Sequence, residues 1–145
     1  MTNHFDNLQR LVNGEVPPPP IARLIGFQVT SVRHGEAEIE LEASEAHANP
    51  MGTLHGGVLC DIADAAMGIA FASTLEDGES FTTLELKINF LRPVWKEKLR
   101  ALGKVVKRGR AVGLVECDVT NAAGALVARS SSTCMVLRGE QAHGR

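Results

Sequence analysis

The sequence predicts an α+β fold in which a long antiparallel β-sheet packs one face on a single central hydrophobic α-helix. Three observations carry that prediction. Residues 56–73 are apolar nearly all the way round, with Val58, Leu59, Ile62, Ala66, Ile69 and Phe71 interrupted by only two charges, Asp61 and Asp64. Such a helix must be enclosed on most sides. Residues 36–42 read Glu-Ala-Glu-Ile-Glu-Leu-Glu, which puts Ala37, Ile39 and Leu41 on one face and the glutamates on the other. Four further strand candidates follow the helix, at residues 81–91, 98–107, 111–120 and 124–137, linked by turn-forming Arg108-Gly109-Arg110 and Asn121-Ala-Ala-Gly124.

The remaining elements fall in order along the chain. Phe5, Leu8, Leu11 and Val12 recur at helical spacing over residues 3–13, and Gly14 is placed to stop that helix. Four consecutive prolines at 17–20 then impose an extended connector. Residues 25–33 read as a strand that Gly35 turns into residues 36–42. Within the central helix, Ala63, Ala65, Ala66, Gly68, Ala70 and Ala72 leave room for a sheet or a second copy to approach closely. In the second half Leu84, Leu86, Ile88 and Phe90 alternate, which puts Thr83 on the opposite face with Glu85 and Lys87. A bulge or a site on the outer face is needed for Thr83 to meet the helix. The expected organisation is a helix and connector over residues 1–20, one domain over 21–138, and a flexible tail over 139–145.

Composition narrows the function. At 145 residues and 44% apolar content the chain is long enough for one domain with a core and too short for two ordinary ones. Fifteen Lys and Arg against seventeen Asp and Glu give a net charge of −2, with no global attraction to nucleic acid or an anionic membrane. Cys60, Cys117 and Cys134 are odd in number and far apart, so neither a disulfide framework nor a zinc site is expected. The N-terminal residues lack a signal-peptide pattern, and the long apolar run is broken by aspartates, so a cytoplasmic protein is expected.

The chemistry concentrates in Asn49-Pro-Met-Gly-Thr-Leu-His-Gly-Gly57 and the helix behind it. A helix opening at His55-Gly56-Gly57 presents unpaired N–H groups and a positive dipole end, suited to a developing oxyanion. Asp64 is a carboxylate inside an apolar segment, costly there unless paired, solvated or used. Together they point to acyl transfer. Each residue also has a plainer role: Asn49 as a turn residue before Pro50, His55 as a hydrogen-bonding cap, Thr83 as a strand hydroxyl, Cys60 as packing. Asp61 is the rival carboxylate. Lys104, Lys107, Arg108 and Arg110 gather four positive charges around one hairpin, suited to phosphates.

The Asn49 to Asp64 motif, in front of Thr83-Leu-Glu-Leu-Lys-Ile-Asn-Phe-Leu-Arg-Pro93, resembles the hotdog-fold acyl-CoA thioesterases. The likeness is to their phenylacetate-pathway (PaaI-type) branch, related to 4-hydroxybenzoyl-CoA thioesterases, and covers roughly residues 20–137. It implies a hotdog fold and hydrolysis of an aryl- or fatty-acyl-CoA, with no cofactor beyond the coenzyme A of the substrate. By position, Asp64 matches the catalytic carboxylate and Gly56 the carbonyl-polarising N–H. Asn49 matches the residue that helps hold thioester or water, and Thr83 a hydroxyl near that water. His55 adds a candidate base; Gly57, Lys107, Arg108 and Arg110 are candidate coenzyme A contacts. Eight residues on one helix separate Gly56 from Asp64 by about 12 Å. They cannot serve one carbonyl, so a homodimer with shared sites is expected, and the resemblance adds a homotetramer built from two dimers. Two other functions are weighed. A hotdog hydratase or dehydratase would need a histidine with an acid as paired base and acid, and only His55 lies near the motif; an acyl-CoA-binding regulator usually carries an added DNA-binding domain. A Gly-x-Ser-x-Gly elbow is absent.

Overall fold

A computed structural model describes residues 3–144. Met1 and Thr2 of the expected N-terminal segment and Arg145 of the expected tail lie outside the described residues. Helix α1 (His4–Val12) is capped by the Asn3 side chain, which accepts from the Asp6 N–H. It ends as a Schellman motif at Gly14, whose φ is +73°, with Glu15 N–H donating to the Arg10 carbonyl. A short helix α2 (Pro20–Ile25) then appears where the sequence was read as connector and strand. Pro20 opens it at a position where a missing N–H does no harm, and Gly26 closes it at φ +94°. Six residues are too few to show a helical period.

Strands β1 (Phe27–Arg33) and β2 (Glu36–Glu42) form a hairpin, after which helix α3 (Gly56–Ala72) crosses the sheet. Strands β3 (Ser80–Phe90), β4 (Lys98–Arg108), β5 (Val112–Asn121) and β6 (Leu126–Leu137) follow, with short 3-10 turns at Glu45–His47 and Gly139–Ala142. The six strands form one antiparallel sheet in the order β1-β2-β4-β5-β6-β3. The expected architecture, an antiparallel sheet around one hydrophobic helix, is therefore observed. Among the described residues no helix is long and apolar enough to cross a membrane.

The core lies between α3 and the concave face of the sheet. Ile62, Ala63, Ala66, Met67, Ala70 and Phe71 of the helix meet Ile39, Leu41, Leu99, Ala101, Val115 and Val119 of the strands, all fully or almost fully buried. Small helix residues permit the approach that their spacing predicts. At Gly103 a Cβ would run into the Ala66 backbone, so neither partner can carry a larger group without moving the helix. The glutamates of β2 face solvent and pair with β4 through Glu38–Arg100 at 2.8 Å, Glu40–Lys98 at 3.4 Å and Glu36–Lys104 at 3.6 Å. Exposed pairs of this kind add little stability.

Candidate active site

Helix α3 starts at two glycines that close neighbours require. A Cβ on Gly56 would lie 2.8 Å from the Phe90 ring, and one on Gly57 would lie 2.9 Å from His55 Nδ1. His55 is the N-cap, and its Nδ1 accepts the Gly57 N–H at 2.8 Å. The Val58 N–H donates to the His55 carbonyl at 3.0 Å. The Gly56 N–H has no acceptor among the described residues. It borders a cavity of about 410 Å³ lined by Asn49, Gly56, Leu59, Phe90, Leu91 and Arg92, among others.

Asn49 shapes the rim of this cavity. Its side-chain carbonyl accepts from the Met51 N–H at 2.9 Å and the Thr53 N–H at 3.1 Å, and its amide donates to Thr53 Oγ1 at 2.6 Å. The turn reading and the cavity reading are both visible in one residue. Arg92 extends from a backbone pinned to β6, its N–H donating to the Val127 carbonyl at 3.2 Å. Its guanidinium is exposed and forms no ion pair among the described residues.

A second cavity, of about 360 Å³, opens farther along α3 and is lined by Cys60, Asp61, Asp64, Thr83, Leu84, Glu85 and Leu86. Asp64 lines it from the helix, with part of its surface open to solvent in the single chain and part covered by its neighbours. Partial burial raises its pKa above the usual aspartate range, and the charge of Asp61 adds to the shift. Cys60, half-buried on the helix, also borders this cavity, and burial together with Asp61 and Asp64 holds its thiol above the usual range.

Thr83 reaches the same cavity through a β-bulge. Thr83 pairs with Cys134 and Glu85 with Thr133, leaving Leu84 as the extra residue. Simple alternation put Leu84 with the core residues Leu86 and Ile88; the bulge expels it to 52% exposure and turns Thr83 inward. The structure thus separates the motif into two places on one helix. Asn49 and Gly56 lie at one, Asp64 and Thr83 at the other.

Residues 51–128, just over half of the chain and including both cavities' helix, match the Thioesterase superfamily. The chain belongs to this superfamily. A 1,4-dihydroxy-2-naphthoyl-CoA hydrolase of Listeria monocytogenes is 30% identical over 112 residues, 77% of this chain and 91% of that protein. Acyl-coenzyme A thioesterase 13 of Homo sapiens is 26% identical over 136 residues, 92% of this chain and 96% of its own length. Among solved structures, a phenylacetic acid degradation-related protein of Ralstonia eutropha JMP134 superposes with a TM-score of 0.81 at 36% identity, covering 92% of this chain and 99% of that one. The PaaI protein of E. coli shares the fold, with a TM-score of 0.82 at 22% identity over 94% of this chain and 98% of its own. The hotdog thioesterase fold and the likeness to the PaaI-type branch, both expected from the motif, are met.

In this thioesterase the basic hairpin stands at the other end of α3. Arg108 Nε donates to Thr74 Oγ1 at 3.1 Å, just past the helix C-terminus, and its guanidinium lies 5.2 Å from the Phe71 ring centroid. Arg108 also pairs with the buried Glu79 at 2.9 Å, and Arg138 pairs with the same carboxylate at 2.6 Å. Its charge is committed to this clamp. Lys107 and Arg110 are exposed at the hairpin, while Lys104 pairs with Glu36. The Gly57 N–H is taken by His55. Among the described residues no group of three or more His, Cys, Asp or Glu converges as a metal site. Sequence reasoning missed Phe90, which roofs Gly56, and Cys134, which underlies Thr83; neither residue type announces such a place.

Proposed function

We propose that the protein hydrolyses acyl-CoA thioesters, of an aryl or fatty acid, to the free acid and coenzyme A. The observation that carries the reading is the unclaimed Gly56 N–H facing one cavity while Asp64 faces another, on a helix that holds them about 12 Å apart. Two antiparallel copies of such a helix can bring the Gly56 cavity of one chain against the Asp64 cavity of the next. Each site of a homodimer then has a carbonyl-polarising N–H from one protomer and a carboxylate from its partner.

The chemistry is economical. A thiol of pKa about 8.5 leaves as thiolate with little acid assistance, so one carboxylate suffices. Asp64 either takes the proton of an attacking water or attacks the carbonyl itself to give an anhydride that water then opens. In both routes the carbonyl oxygen gathers charge that the Gly56 N–H and the positive end of α3 stabilise. Asn49 holds the loop over the polarising N–H, Thr83 offers a hydroxyl beside the carboxylate, and His55 acts by fixing the helix start. Arg92, Lys107 and Arg110 supply the charges for the coenzyme A phosphates, with Arg92 nearest the Gly56 cavity.

The test is thiol release from short-chain, long-chain and aromatic acyl-CoA esters, with Asp64→Asn alongside. Release by the wild type, reduced by at least about 100-fold in the variant, is expected. No release from any ester removes the hydrolase reading, and full activity in Asp64→Asn removes the carboxylate assignment.

A further inference from the structure

The inner face of β6 carries Ser130, Ser132 and Cys134 at alternate positions, each buried, in a sheet whose inner face is mostly apolar. Ser130 is satisfied within the sheet, donating to the Lys87 carbonyl at 2.8 Å. Ser132 is fully buried, and its hydroxyl has one partner among the described residues, Cys134 Sγ at 4.0 Å. The same sulfur lies 3.9 Å from Thr83 Oγ1, the residue that the bulge delivers to the Asp64 cavity. Sulfur contacts at this range are weak, but they are directional.

Counting hydrogens sets the direction of the Ser132 contact and favours one direction for the Thr83 contact. A thiol has one hydrogen to give. If Cys134 gave it to Ser132, the Ser132 O–H would be left buried with no acceptor, which is unfavourable. With Ser132 donating to the sulfur instead, the thiol hydrogen has Thr83 Oγ1 as its acceptor within reach; a Thr83 O–H aimed at the same sulfur would leave that hydrogen buried and idle, whereas turned the other way it has the open cavity. Thr83 then accepts from below, and its own O–H turns out of the sheet into the cavity that holds Asp64. We propose that Ser132 and Cys134 are positioning residues that orient the Thr83 hydroxyl as a hydrogen-bond donor toward Asp64 or the water beside it. The proposal rests on the reading of Asp64 as the working carboxylate.

Two measurements test it, one without turnover. The infrared S–H stretch of Cys134, assigned by difference from Cys134→Ser, is expected at a hydrogen-bonded frequency in the wild type and at a higher one in Thr83→Val. A stretch unchanged by Thr83→Val overturns the orientation even if the protein releases no thiol at all. In the thiol-release assay, Cys134→Ala is expected to lower kcat about 5-fold with KM unchanged, and Cys134→Ser, which can donate and accept at the same place, to stay within about 2-fold. Adding Cys134→Ala to Thr83→Val should cause no further loss, since the two act through one hydroxyl. Wild-type kcat in Cys134→Ala, equal damage in Cys134→Ser, or additive losses in the double variant overturns the proposal. Ser132→Ala, which removes the donor that holds the thiol with its hydrogen toward Thr83, supplies an independent arm with an expected loss of about 2-fold. No loss there also overturns the inferred direction. A wild type inactive on every thioester refutes the hydrolase reading and leaves the infrared result to judge the orientation alone.

Discussion

Gly56 meets two demands at once. Phe90 occupies the space where a Cβ would go, and the residue borders the cavity in which the proposed reaction places the substrate oxygen. Gly56→Pro separates these roles, because proline is tolerated at the first helical position and the residue before it, His55, already has the extended ψ of 133° that proline prefers. The exposed Phe90 ring can swing aside. The variant is expected to fold, by circular dichroism, and to lose about 100- to 1000-fold in kcat, the usual effect of deleting one oxyanion donor. Asp64 makes a pH prediction. In the proposed reaction its carboxyl must be ionised, and burial followed by the charge of Asp61 raises its pKa, so activity is expected to fall away at a higher pH than an ordinary aspartate would allow. Asp61→Asn removes one cause of the shift and is expected to move the acid limb of the kcat/KM profile to lower pH. A limb that stays in place refutes the coupling.

Among the elements, α3 and β4 meet so closely at Ala66 and Gly103 that one methyl group is too many. Gly103→Ala is expected to destabilise the fold by about 2 kcal/mol in urea titration, the scale of core overpacking. The clamp at the other end of the helix has a pH signature. Burial works against ionisation of Glu79, but the Glu76 N–H, Arg138 and Arg108 outweigh it and hold the carboxyl below the usual glutamate range. The stability it supplies is therefore complete above that range and is lost as the pH falls through the lowered folded value. Glu79→Gln is expected to cost about 2 kcal/mol at neutral pH, leaving two guanidinium groups without their counter-charge. The difference between variant and wild type should vanish on acidification, as urea midpoints across pH would show. The elements also differ in how legible they were. Strict alternation exposed β2, and unbroken apolarity exposed α3. Strand β3 misled, because Leu84, Leu86, Ile88 and Phe90 form a continuous apolar alternation that conceals the extra residue. Only pairing with β6 shows that Leu84 stands outside it.

For the whole molecule, the spacing along α3 could be computed from sequence, whereas the position of the charged hairpin relative to that helix could not. Charge density along the chain does not say which end of a helix a turn will reach, nor that Glu79 will claim Arg108. The proposed sharing of sites between protomers leads to a test on mixtures. Gly56→Pro and Asp64→Asn, each nearly inactive alone, should recover roughly a quarter of wild-type activity when unfolded and refolded together, since random pairing makes half the dimers mixed, each with one intact site of two. No recovery, or a fully active monomer by sedimentation, refutes the shared arrangement. The bulge in β3 has a consequence for insertions and deletions. Losing one residue from a strand normally reverses the facing of everything on one side of the gap. Here the strand already holds one residue too many, so deleting Leu84 restores regular alternation with Phe81, Thr83, Leu86 and Ile88 all still inward. A chain shortened at that position should melt as one cooperative unit, while a chain shortened at Ile88 should not.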